Sequence, residues 1–184
     1  MRFTAILLPA LLVAACEREP SVSVKNASVE EVANELADAG ARRNGSFIRA
    51  GQWRSTITFE EMSAPGMPPA AAEQMARMTG PSQTFESCLT EEEAARPSEE
   101  FFAGRDRQCR YDHFRMGGGR IDSRMRCDQG GASQVMELEG TYSPDSYDMR
   151  MTTSIEGASG AAGEMRMRMR VEARRVGECP PQKG

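Results

Sequence analysis

The sequence predicts a mainly β domain bordering on α+β. The expected architecture is a curved antiparallel meander or incomplete barrel of six or seven strands, with one or two short helices on its N-terminal side. Three observations carry this expectation. Long stretches alternate apolar and polar residues with period two, and most of these lie after Cys109. Tight-turn residues punctuate them, as in Gly117-Gly118-Gly119 and Ser143-Pro144-Asp145-Ser146. Only one segment, beginning at Val29, has a convincing helical period, with Val29, Val32, Leu36 and Ala39 on one face.

That segment opens with Ser28-Val29-Glu30-Glu31, a capping box, so a helix is expected from Val29 to about Ala41. Arg42-Arg43-Asn44-Gly45 supplies cations for its last turn and a glycine beyond. Pro65-Gly66-Met67-Pro68-Pro69 opens a shorter helix through Met78, and Thr90 with Glu93 caps a third turn or two. Trp53, Ser55, Ile57 and Phe59 share one face of a first strand, and Thr84 to Leu89 reads as a second. A turn at Pro144-Asp145 sets Leu138 opposite Met151, Gly140 opposite Met149 and Glu139 opposite Arg150. The last strand, Glu164 to Arg175, places Met165, Met167, Met169, Val171 and Ala173 on one face, with Arg166, Arg168, Arg170 and Arg174 on the other.

The first sixteen residues carry an address. Met1-Arg2 is a short positive region and Phe3 to Val13 an apolar one, about half the roughly 20 residues a span needs. Val13-Ala14-Ala15-Cys16 resembles a lipobox, so residues 1–15 read as a lipoprotein signal peptide and Cys16 as the acylated anchor. An ordinary secretory signal is the competing reading, and both export the chain. Glu17, where similar lipoproteins retained at the inner membrane carry aspartate, favours the periplasmic face of the outer membrane. Residues 16–27 are expected as the lipidated cysteine and tether, 28–180 as one domain, and 181–184 as a tail.

Composition excludes more than it assigns. The formal charge is −4, so the chain has no global reason to seek nucleic acid. Arginine outnumbers lysine 21 to 2, which reads as genome composition before it reads as anion recognition. With Cys16 assigned to lipid, Cys88, Cys109, Cys127 and Cys179 remain, and an even count in an oxidising compartment implies two disulfides. Zinc competes poorly, because there is no C-x-x-C pair and only one histidine. Of three pairings one has a geometric basis: Cys109 and Cys127 lie nine residues either side of Gly118 and face each other in a hairpin centred there. Cys88–Cys179 follows by elimination.

At this point the residues resemble a bacterial envelope family catalogued as domain of unknown function 3617. The resemblance rests on Gly51-Gln52-Trp53, Cys88-Leu89-Thr90, the hairpin cysteines Cys109 and Cys127, Gly140 through Tyr147 in the pattern G-x-x-S-x-D-x-Y, and Arg174 through Cys179 as R-x-x-G-x-C. It covers roughly residues 47 to 180, with Ala50 where the family pattern has proline. It implies export and two disulfides, and it brings no reaction and no functional residue with it.

Four chemistries compete for the remaining residues. Met149, Met151, Met165, Met167 and Met169 form a methionine-rich face that suits core filling, an apolar ligand such as lipid, or, less well, Cu(I). Seven arginines between Arg105 and Arg126 could bind anions, although Arg124 opposite Glu137 reads as a cross-strand ion pair on a solvated face. His113, the only imidazole, is placed opposite Ser123 by the hairpin guess, yet no third group and no catalytic motif accompanies it. The expected function is therefore a non-catalytic binding or structural module without cofactor or metal. Its partners would be the membrane, through the anchor, and an envelope protein or lipid, with an apolar-ligand carrier as the alternative.

Overall fold

In the computed structural model, residues 21–42, 46–64, 66–80, 82–95, 109–129, 131–156 and 165–181 are described. Residues 1–15, expected as a signal peptide, Cys16 and residues 182–184 of the tail lie outside them, as do the expected stop of the first helix at 43–45 and Arg105 and Arg107 of the arginine-rich stretch. The strands are β1 (Val22–Ser28), β2 (Gly51–Ser63), β3 (Gln83–Leu89), β4 (Cys109–Gly117), β5 (Arg120–Gln129), β6 (Ala132–Ser143), β7 (Ser146–Glu156) and β8 (Arg166–Gly177). Three helices accompany them: α1 (Val29–Arg42), α2 (Pro69–Thr79) and α3 (Glu91–Ala95). All eight strands join one antiparallel sheet in the order β1-β4-β5-β6-β7-β8-β2-β3, whose edges are β1 and β3.

The eight strands exceed the expected six or seven because residues 22–27, expected as tether, form β1 together with Ser28. Its short sequence has no clean alternation. Its apolar residues nevertheless find partners on β4, with Val22 opposite Met116, Val24 opposite Phe114 and Ala27 opposite Tyr111. The sheet therefore takes in residues 22–28. α1 follows β1 without a loop, started by the reciprocal cap in which Glu31 N–H donates to Ser28 Oγ (3.1 Å) and Ser28 N–H donates to Glu31 Oε2 (2.6 Å). Thr90 and Glu93 repeat the device at α3.

The hairpin between β4 and β5 holds two departures from the expected register that cancel. Its turn is the two-residue Gly118-Gly119, both at positive φ (56° and 72°), so the pairing is offset by one from a hairpin centred on Gly118. Asp112 is then an extra residue in β4, a bulge that shifts the register back. Cys109 consequently does face Cys127, and the two are bonded. Between turn and bulge, however, Phe114 faces Ser123 and His113 faces Arg124, which corrects the expected His113–Ser123 pair. The other registers stand as expected, with Leu138 opposite Met151, Glu139 opposite Arg150, Gly140 opposite Met149 and Arg124 opposite Glu137.

These registers sort the side chains by face. Val24, Phe114, Ser123, Leu138, Met151, Met169 and Phe59 form one row of cross-strand neighbours across seven strands of the inner face. α1 lies against the β1–β4 end of this face, burying Val32, Leu36 and Ala39 with Phe114 and Met125. The outer face carries the charges.

Cys88–Cys179 joins β3 to the chain just beyond β8, across β2. It closes a loop of 91 residues, so removing it by Cys88→Ser/Cys179→Ser is expected to cost about 2–5 kcal/mol in a urea titration. An unchanged midpoint would show that the bridge has no stabilising role. Gly140 marks a second constraint, because a Cβ there would overlap the Asp148 carbonyl oxygen in β7. Gly140→Ala is expected to lower the thermal midpoint by several degrees, whereas Gly118→Ala, facing open space but at positive φ, should cost less.

Candidate functional site: an uncharged cavity on the inner face

The inner face is wider than α1, and the part that α1 leaves uncovered borders a cavity among the described residues. A cavity of about 350 Å³ lies between the inner residues of β4 to β8, Leu36 of α1, the 46–48 segment and Ala94-Ala95 of α3. Among the described residues no charged side chain lines it. Its polar groups are hydroxyls, from Ser46, Ser123, Tyr111, Tyr142 and Tyr147. Burial pushes the Tyr111 phenol well above its usual range, so this group stays neutral.

The roof is positioned by a contact far from it in sequence. Arg49 N–H donates to Pro144 O (2.8 Å) and the Arg49 guanidinium pairs with Asp145, which fixes the 46–50 segment on the β6–β7 turn. Phe47 is thereby set edge-on to Tyr142, with ring centroids 5.9 Å apart. Trp53 stacks on Tyr147 at 5.6 Å and donates its indole N–H to Arg49 O (3.0 Å), closing the corner.

Of the five methionines singled out, Met149 and Met151 line the cavity. Met167 and Met169 share their face, half-buried against Met62 and Phe59 of β2, and Met165 sits just before β8. The structure brings Met151 opposite Met169. Three lining methionines were missed, Met116, Met125 and Met136, contributed by β4, β5 and β6. Their signal was the period-two pattern after Cys109, which identifies an inner face without showing that it borders a void.

The outer face offers a different chemistry. Its two clefts, about 550 and 620 Å³, are lined by charges of both signs. Arg124 pairs with Asp112 (3.1 Å) and Glu137, Arg115 with Asp122 (3.3 Å), and Arg168 with Glu61 (3.0 Å). Arg115, Arg124 and Arg126 of the arginine-rich stretch thus belong to a solvated ion-pair lattice. His113 belongs to it, with Nε2 3.0 Å from Asp122 Oδ1. Among the described residues no three His, Cys, Asp or Glu side chains converge as a metal site, and no helix is long and apolar enough to cross a membrane.

Fold and site together define a disulfide-stapled open β-sheet domain with an apolar cavity beside its first helix. The chain belongs to the family described as Protein of unknown function (DUF3617), which it matches over residues 48–179. That match spans β2 to Cys179 and both disulfides, while β1 and α1 precede it. No curated protein matches the chain. Among solved structures it is similar to one titled "Monomer form of M.tuberculosis PknI sensor domain", at 12% identity and a TM-score of 0.32, covering 74% of this chain and 92% of that chain.

The outer-face ion pairs set a pH dependence. Hydrogen bonds from Arg170 hold the Asp148 carboxyl below its usual range, and Arg150, Arg54 and Arg49 do the same for Glu60, Glu86 and Asp145. A carboxyl depressed in the folded state binds fewer protons than in the unfolded chain, so its contribution is present above the ordinary range and lost on acidification. The thermal midpoint is therefore expected to be level from about pH 6 to 8 and to fall as pH drops below about 4. Raising the salt concentration at pH 7 should shift it only slightly, since exposed pairs contribute little each.

Proposed function

We propose that this protein is an exported, lipid-anchored binding module without catalytic activity, held through Cys16 at the periplasmic face of the outer membrane, and that its cavity receives an apolar ligand. The single observation carrying the ligand reading is the cavity of about 350 Å³ on the methionine-rich face, which no charged side chain lines among the described residues. That volume lies within the roughly 300–1,000 Å³ range of small-molecule sites. Core filling alone would have closed it, since protein interiors pack to crystal density with few voids larger than a water. Two disulfides accord with export to an oxidising compartment.

The test is native mass spectrometry of the protein extracted gently from its own membranes. A non-covalent mass that leaves on denaturation is the expected result, and an empty protein that also fails to enhance an apolar fluorescent probe would overturn the ligand reading. The anchor is tested separately: Cys16→Ser should move the protein from the membrane to the soluble fraction.

A further inference from the structure

The cavity's lining restricts what can enter it, and this inference rests on the reading of the cavity as a ligand site. Among the described residues no lining side chain could pair with a buried carboxylate, phosphate or ammonium, and an unpaired charge against this lining would be strongly disfavoured. The buried part of the ligand is therefore neutral. Met116, Met125, Met136, Met149 and Met151 surround it from four adjacent strands, and such unbranched thioether chains adapt to an occupant that flexes. At the roughly 30 Å³ that a water-sized group occupies, 350 Å³ holds on the order of ten to twelve methylenes.

Position along the chain adds a source. Val22, the first residue of β1, pairs with Met116, which lines the cavity. Cys16 precedes Val22 by six residues, and six residues fully extended span at most about 20–22 Å. A chain anchored at Cys16 would keep the Met116 end of the sheet that close to the bilayer surface. We propose that the cavity holds one unbranched acyl chain, methyl end inward and head group outside, taken from a bilayer lipid or from the Cys16 anchor itself.

The experiment uses the full-length chain carrying Cys16→Ser and the neutral probe N-phenyl-1-naphthylamine, displaced by a series of 1-alkanols from six to sixteen carbons. Each added methylene should lower the displacing concentration about fourfold, the equivalent of about 0.8 kcal/mol, until the series flattens near ten to twelve carbons. The compact ten-carbon 1-adamantanol should displace far less well than 1-decanol. Ser123→Leu, which fills the cavity wall opposite Leu138, should weaken 1-decanol at least tenfold with both disulfides intact. A probe that binds but is displaced alike by every alkanol, or as well by 1-adamantanol as by 1-decanol, would overturn the acyl-chain assignment and leave the ligand site standing. A probe that does not bind would remove both. The lipidated protein in nanodiscs separates the sources. A phospholipid mass retained in native spectra assigns the bilayer, and exclusion of the probe without any retained mass assigns the Cys16 chain. Free access of the probe with no lipid retained would count against either.

Discussion

An eight-stranded sheet has more apolar face than a single helix can cover, and the rest of the structure follows from that mismatch. At about 4.8 Å between strands the sheet is about 34 Å across, while a helix with its side chains is about 10 Å wide. α1 lies over the β1–β4 end, where Val32 and Ala39 are fully enclosed. Phe47, held by the Arg49–Asp145 contact, and Ala94 of α3 reach over the neighbouring strands without filling the space beneath. The cavity is the remainder. Its methionines are where a flexible side chain can tolerate an imperfectly filled boundary.

The outer face explains why the sheet uses this surface and not the other. Arginines and carboxylates pair between strands, directly as in Glu86–Arg54 and diagonally as in Asp148–Arg170, at distances of 2.8 and 2.9 Å. Exposed pairs of this kind contribute little to stability individually. Their main effect is to keep one face solvated, so that a one-residue register slip, which would carry arginines inward, is strongly disfavoured. The same charges frame clefts of mixed sign, which suits neither an anion nor an apolar ligand as well as the inner cavity suits a neutral chain.

Much of this was legible in the chain. Caps at Ser28 and Thr90, the Pro144-Asp145 turn and the alternation of β6 to β8 are local, and each was read within a window of a few residues. The Cys109–Cys127 pair is opposed through two departures from a hairpin centred on Gly118. A turn offset by one and the bulge at Asp112 compensate at the cysteines while leaving His113 on the outer face beside Arg124. No window around His113 contains that information, because a bulge is a property of two strands together. β1 escaped notice for a related reason, since Val22, Val24 and Ala27 become a strand only through Met116, Phe114 and Tyr111.

The sequence by itself determined the mainly β class, most registers and the composition of each face, because period, turn chemistry and capping act between near neighbours. Tertiary structure decided that residues 22–28 join the sheet, that His113 turns away from Ser123, and that Met149 and Met151 border a void while Met167 and Met169 abut β2. A cavity is the difference between the area a sheet presents and the area its helices cover. That difference arises between elements remote in the chain, so it is decided only when they meet.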